Sequence, residues 1–408
     1  MKRPAKLFVY SLFFSGINLL SLFTFAQNSP IISGQDPDRR VITTAVPFLN
    51  FAPDSRSSAM GDVGVATSPD AFSAHWNVGK LAFVENDMAF SLSYSPWLGR
   101  LVNDMFVSYL TGYKRIDEVS AWGFDLRYFN MGDIILTDGR GEELGEFTPR
   151  DIAIGGSYSR QLSENLGIGI SARFIHSNLS GNLSSVGGSE SRPGISVGTD
   201  VGLYYNKEVF PADKSGVWSW GVTITNIGPK ITYNSAEDLD FIPTNLRVGT
   251  AYRVNFNEKN SLTFALDFNK LMVPSPPIWL RNEDGSLATD ENNNLILDPS
   301  TNSRNPNRPL LSGMFLSFVD APGGFREEMQ EVMISYGMEY IFDEVFALRT
   351  GYFFENPNKG GRRYFTMGLG YVYKEKFAFD FSYLVPQVQN HPLAETLRVS
   401  LTYNIPRL

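Results

Sequence analysis

The chain has no cysteine in its 408 residues. That absence excludes a disulfide framework, a cysteine nucleophile, a thiolate zinc site and an acylated lipoprotein cysteine. Positive charge is also short, with 35 Lys and Arg against 43 Asp and Glu and a formal net charge of −8. A chain of that balance lacks the clustered basic surface that nucleic acid requires. The three histidines, His75, His176 and His391, are too scattered to mark a site. Long apolar runs are missing after the first 26 residues. Without a later stretch of about 18 apolar residues, helical membrane spans are excluded.

The first 26 residues read differently. Lys2, Arg3 and Lys6 precede an apolar run from Leu7 to Phe25, and Thr24-Phe25-Ala26 closes it with a small-x-small pattern. This predicts a secretory signal peptide at 1–26, cleaved after Ala26, and an exported mature chain.

What the chain does have is alternation. At its end Leu397, Val399, Leu401, Tyr403 and Ile405 share one parity, and Thr396, Arg398, Ser400, Thr402 and Asn404 share the other. Strict alternation predicts a β-strand with one apolar face. The pattern recurs in 14 segments, near 87–97, 104–113, 118–129, 149–160, 165–178, 193–206, 216–227, 244–255, 261–270, 329–341, 345–355, 363–373, 377–386 and 395–405. Soluble strands average about 5 to 6 residues, whereas tilted membrane strands need about 9 to 11. Segment length and a second face of Gly, Ser, Thr, Asp and Arg predict an all-β, 14-stranded antiparallel transmembrane barrel over 87–408, apolar outside and polar inside.

The connections fall into two sets. One end carries short turns at 114–117, 161–164, 256–260, 342–344 and 374–376, with a longer exception at 207–215. The other carries 130–148, 179–192, 228–243, 271–328 and 387–394, with modest loops at 98–103 and 356–362. Short periplasmic turns and long outer loops are the outer-membrane plan, so both termini are expected in the periplasm. The inward parity holds Asp125, Arg127, Arg173, Asp200, Arg247, Arg253, Asp267, Glu339, Arg349, Asp380 and Arg398. Their signs nearly balance, which predicts a lumen network of ion pairs rather than a substrate path. Residues 27–86 do not alternate and are rich in small residues, with Asp54, Ser55 and Asp70 as helix caps. They are expected to fold as a plug of short helices and turns inside the barrel.

The plug stretch resembles the N-terminal motif of FadL-like outer-membrane barrels: a small-residue Met-Gly segment, an Asp and an Asn-Pro-Ala-Gly-Leu box. Met60, Gly61 and Asp70 match, and Asn77 and Leu81 match the ends of the box, while Val78, Gly79 and Lys80 depart from its middle. Three stretches of the second half, Asn226–Tyr252, Leu266–Pro277 and Gly313–Tyr340, together with the barrel plan resemble the PorV family of outer-membrane shuttle proteins of the type IX secretion system. The resemblance implies binding rather than a reaction. The implied partners are a SprA-type translocon barrel, the C-terminal domains of secreted cargo proteins and the attachment complex containing the PorU sortase, within outer-membrane lipid. No cofactor is expected, although a bound lipid or detergent would fit such a lumen. Two other readings stay open. One is a FadL-type transporter of lipids or hydrophobic small molecules, marked by an apolar tunnel and a lateral wall opening. The other is an outer-membrane lipid A or LPS O-deacylase-type hydrolase, marked by a Ser-His contact at the rim.

Two apparent motifs fail on context. Gly194 to Gly198 reads G-x-S-x-G, but alternation runs straight through Ser196 and no helix follows, so no nucleophile elbow and no catalytic residue is expected. Asn282 to Asp298 is rich in oxygen ligands but lacks the glycine and final glutamate of a calcium loop, so no metal site is assigned. Asp284-Gly285 reads instead as a hairpin turn. The loop at about 271–328 is too long to be structureless. It carries Pro274, Pro276, Pro277, Trp279, Met314, Phe315, Phe318 and Phe325. These are the candidate partner-binding residues, with Trp279, Met314, Phe315 and Phe318 expected to be held outward by a proline-stiffened lead-in.

Overall fold

A computed structural model describes residues 39–99, 102–137, 139–179, 192–210, 215–233, 239–284, 286–387 and 396–407. The signal at 1–26, the first plug residues and His391 lie outside them. The barrel and its filling belong to one compact unit that begins at Arg40.

Alternation produces long strands: β1 (Met88–Pro96), β2 (Met105–Arg115), β3 (Ser120–Met131), β4 (Ile134–Thr137), β5 (Glu143–Phe147), β6 (Arg150–Gln161), β7 (Leu166–Asn178), β8 (Gly194–Val209), β9 (Gly216–Ile227), β10 (Asn245–Asn255), β11 (Ser261–Leu271), β12 (Met333–Phe342), β13 (Phe346–Phe354), β14 (Arg363–Tyr373), β15 (Phe377–Pro386) and β16 (Leu397–Ile405). All except β4 and β5 close into one antiparallel barrel of 14 strands. Closure comes from β1, which pairs with β2 on one side and β16 on the other. No free edge remains in that sheet, as lipid requires. On β14 the outward Phe365, Met367, Leu369, Tyr371 and Tyr373 are exposed, while Tyr364, Thr366, Gly368 and Gly370 face in. The expected 14-stranded transmembrane barrel is therefore the observed fold. One element was not foreseen: β4 and β5 form a separate hairpin within the 132–149 connection.

The segment before β1 threads the lumen from end to end. At the long-loop end, Ala45 N–H donates to Phe241 O at 3.0 Å. Asp54 then caps α1 (Ser55–Ala59) by accepting from Ser57 N–H at 2.7 Å. α2 (Ser73–Trp76) and a 3₁₀ turn (Val78–Phe83) follow. At the short-turn end Arg115 donates to Val84 O at 2.8 Å, and β1 begins. Arg40 thus lies at the end opposite the last residues of β16. The expected periplasmic N-terminus belongs to residues 1–38, which lie outside the described residues.

The wall is shaped for this segment. Gly61 takes φ +72°, a conformation that favours glycine. The Met60-Gly61 pair lies on a row of wall glycines, where a Cβ on Gly337 would sit 2.5 Å from Met60 O. Gly61 N–H donates to Thr366 Oγ1 at 2.8 Å, and Thr366 Oγ1–H donates to Ala59 O at 2.9 Å. On the opposite wall Asn77 donates to Leu203 O at 2.8 Å, and a Cβ on Gly169 would lie 2.6 Å from Val78 O. Leu81 is fully buried beside Gly123.

This seating predicts a closed lumen. The intact protein in planar bilayers should show little steady conductance. Gly351→Val forces a side chain into the Met60-Gly61 backbone, an overpacking of about 1–3 kcal/mol, and should produce intermittent current without loss of heat-modifiable gel migration. Large constant current from the native protein would contradict the plug.

Candidate functional site: the lumen network and the outer cap

The inward charges mostly bind the plug to the wall. Glu339 accepts from Arg56 of α1 at 2.8 and 3.0 Å and from its cross-strand neighbour Arg349 at 2.6 Å. Arg349 continues to Asp380 at 2.6 Å. Arg56 also reaches Asp70 at 3.0 Å, which gives that plug residue a structural partner. Asp267 accepts from the Gly64 and Val65 amides at 2.8 and 3.0 Å. Arg127 donates to the carbonyls of Phe48 and Leu49 and to His75. Arg173 and Asp200 pair at 2.5 Å where the β8–β9 register shifts, and Arg173 also donates to Asn226. Asp125 Oδ1 and the Nε atoms of Arg253 and Arg398 have no hydrogen-bond partner among the described residues. Among the described residues, Arg247 makes a hydrogen bond only to His75, at 3.4 Å, and lies over the face of Trp76.

The connection between β11 and β12 is an ordered cap. Residues 279–297 form a small meander through the bridges Trp279↔Leu297, Arg281↔Leu287 and Thr289↔Leu295. Two short helices follow, α3 (Leu310–Leu316) and α4 (Phe325–Gln330). β12 consequently starts at Met333, later than its alternation suggested.

The cap places the eight candidate residues unequally. Pro274 is buried and Pro276, Pro277 and Trp279 are half-buried. Met314 is buried, which corrects its reading as an outward anchor. Met314 belongs to the α3 face that rests on the barrel mouth, where its neighbour Gly313 lies against Phe241 and Pro274. Trp279 is tied down by its bridge to Leu297. Phe315, Phe318 and Phe325 do face out, at 66%, 38% and 79% exposure. Leu311, Val319 and Met329 are exposed with them.

The clamp beneath these rings was missed in the sequence. On α4 the glutamates turn inward and the apolar residues outward. Glu327 binds Arg40 at 2.7 Å and Lys359 at 2.5 Å. Glu331, just past α4, binds Lys359 at 2.9 Å and Lys270 at 2.6 Å. Glu328 binds Lys270 at 3.0 Å. The available signal was the 3.6 period itself, since Phe325 and Met329 share one face and Glu327, Glu328 and Glu331 another. Among the described residues no cluster suited to a metal ion occurs. Ser196 lies within β8 and its Oγ–H donates to Pro229 O at 2.9 Å, so the G-x-S-x-G stretch is plain strand.

Burial alone would raise the Glu327 carboxyl, but hydrogen bonds from Arg40, Lys359 and the Gly323 amide outweigh it and hold the group at about 2, below the ordinary 4.5. A depressed carboxyl stabilises fully above the ordinary value and loses that contribution as pH falls through the folded one. The cap should therefore resist pepsin at pH near 4 and become cleavable near 2. Glu327→Gln leaves the half-buried Arg40 without its carboxylate and the buried Lys359 with Glu331 alone, a loss of a few kcal/mol at most, about the scale of a broken buried pair, and should be cut at both. Equal cleavage of the native cap at the two values would refute the clamp.

The family described as type IX secretion system protein PorV matches residues 34–278. No curated protein matches the chain. Among solved structures, the Pseudomonas putida toluene transporter TodX is 12% identical with a TM-score of 0.46, over 88% of this chain and 100% of that one. The CymD monoaromatic hydrocarbon channel is 15% identical with a TM-score of 0.47, over 87% and 98%. A Pseudomonas aeruginosa FadL homologue is 11% identical with a TM-score of 0.41, over 90% and 99%. The family match spans more than half of the sequence, from the plug through β11, and the chain belongs to the PorV family of the type IX secretion system.

Proposed function

We propose that this barrel is a non-enzymatic shuttle of the outer membrane, with its long loops outside the cell and its C-terminus in the periplasm. Its cap would dock on a SprA-type translocon barrel, receive secreted proteins through their C-terminal domains, and pass them to the attachment complex holding the PorU sortase. Family membership supplies the system. The cap supplies the carrying observation: Leu311 and Phe315 stand exposed on α3, Phe318 and Val319 just past it, and Phe325 and Met329 on α4, the helix that buried ion pairs hold in place. Aromatic and Met side chains displayed on a rigid support are typical of binding hot spots. The transport reading is weaker, because the plug is seated on both walls and a transported molecule needs a continuous path. The hydrolase reading lacks support, since no Ser–His hydrogen bond occurs among the described residues.

The test is Phe315→Ala with Phe318→Ala. Truncating a central aromatic anchor can cost about 2 kcal/mol or more, over tenfold in affinity. Co-purification with the translocon barrel and export of cargo should both fall, while the protein still reaches the outer membrane and migrates heat-modifiably. Unchanged co-purification and export in a folded variant would overturn the role of this face.

A further inference from the structure

A cavity of about 450 Å³ opens at the long-loop end between residues 41–52 and the wall from β10 to β16. Its rim is exposed at Val41, Thr43, Pro47 and Gly360. Its floor is Trp76 and Asp62 of the plug. That volume lies within the range of small-molecule sites, which is about 300–1,000 Å³.

The walls are of two kinds. Some are flat and apolar: Phe51 stacks on Trp97 with centroids 4.1 Å apart, and Phe353 stacks on Tyr364 at 4.9 Å. Others carry arginines with no carboxylate at ion-pair distance among the described residues. Arg398 is 5% exposed and makes no hydrogen bond or ion pair with any described residue, its Nε included. Arg247 is 4% exposed and has no carboxylate within ion-pair distance among the described residues. Apart from Arg253, which is less buried and whose Nε also lacks a partner among the described residues, the other lumen arginines are paired. Arg56, Arg173 and Arg349 each hold a carboxylate, and Arg127 holds two backbone carbonyls. Buried guanidiniums are normally satisfied, and both of these exceptions line the same cavity. Two of the three acidic neighbours are already engaged in ion pairs. Glu355 is held by Arg362 and Glu331 by Lys270 and Lys359, while Asp62 accepts from the Tyr364 hydroxyl at 2.5 Å through Oδ2 and keeps an unpartnered Oδ1. Asn245 Oδ1 and Asn269 Oδ1, also on the lining residues, are unpartnered acceptors.

From these observations we propose that the cavity is a receptor for a compact organic anion: a carboxylate, sulfonate or phosphate group at Arg247 and Arg398, carried on a flat apolar body between the aromatic walls. The anion supplies carboxylate-like acceptors to the two guanidiniums, and the body packs beside the aromatic pairs that line the cavity. Because the plug closes the floor, the occupant enters and leaves from the long-loop end and does not cross the barrel. The receptor occupies the lumen vestibule and shares Glu331 and Lys359 with the clamp, but it includes none of the exposed cap rings on which the shuttle reading rests.

The experiment uses the full barrel in lipid nanodiscs and isothermal titration with naphthalene-2-sulfonate, with uncharged 2-naphthol and inorganic sulfate as controls. Native protein should bind the sulfonate saturably, one to one. Arg398→Gln and Arg247→Gln should each raise its Kd about tenfold or more, the scale of a lost hydrogen bond to a charged group, and Arg398→Lys should restore part of the affinity. Binding of 2-naphthol should not change in the variants. Heat-modifiable migration confirms folding, and Arg247→Gln carries the test if Arg398→Gln fails to fold. Absence of saturable sulfonate binding, equal losses for sulfonate and 2-naphthol, or full competition by sulfate at equal concentration would each overturn the proposal.

Discussion

A barrel of 14 strands is wide enough to hold a channel or a filling. Here the filling is a stretch of backbone, and its contact with the wall is the constraint on which the rest depends. Backbone approaches backbone only where no Cβ intervenes. The wall therefore turns Gly337 and Gly351 toward Met60-Gly61, and Gly169 and Gly202 toward Asn77-Val78. Each contact also supplies hydrogen bonds. Ser400 Oγ accepts from the Ser55 amide at 2.9 Å, Thr366 bridges Ala59 and Gly61, and Asp267 takes the Gly64 and Val65 amides. A plug without regular ladders would otherwise strand its amides in a closed space. A shift of one residue in strand register would replace these inward residues with Phe, Leu and Tyr, so wall register and plug seating specify one another.

Charge extends the same logic across the lumen. From Asp70 through Arg56, Glu339 and Arg349 to Asp380, alternate signs make a chain from plug to wall. Such chains add little net stability over an apolar filling, because desolvation offsets the attraction. Their value is geometric: a displaced plug leaves Glu339 facing one arginine instead of two. Met60, Gly61, Asp70, Asn77 and Leu81 thus have structural partners in this chain whatever else they do.

The barrel was legible because a period of two with lipid on one side leaves little choice; all 14 membrane strands lie where alternation placed them, within a few residues. The plug's internal route was not legible. Nothing local in residues 40–52 signals that Ala45 meets Phe241, which is remote in sequence. The cap was half-legible. Its aromatics stood out by composition, but composition does not say which face is buried. Met314 and Phe315 are adjacent in sequence and opposite in burial, because a helical turn separates them by about 100°. The clamp escaped notice for a related reason. Glutamates on a surface helix are ordinarily read as its solvent face, and the lysines that reverse this reading sit on β11 and in the 355–362 connection.

That reversal explains how the cap is built. A cap packed on the mouth through its apolar residues would leave only charge outside. Burying Glu327, Glu328 and Glu331 against Lys270, Lys359 and Arg40 instead frees Phe325 and Met329 for the outer surface. The buried pairs fix position at small net gain. The exposed rings give up hydrophobic stabilisation that a covering surface would restore, at roughly 25 cal/mol per Å² removed from water. A helix held by five ion pairs is already ordered, so association on its outer face would avoid much of the entropic cost of fixing a loop. Rigid support beneath and unsatisfied apolar area above are complementary halves of one arrangement. The first localises the second at the barrel mouth, where a partner of the same membrane can reach it.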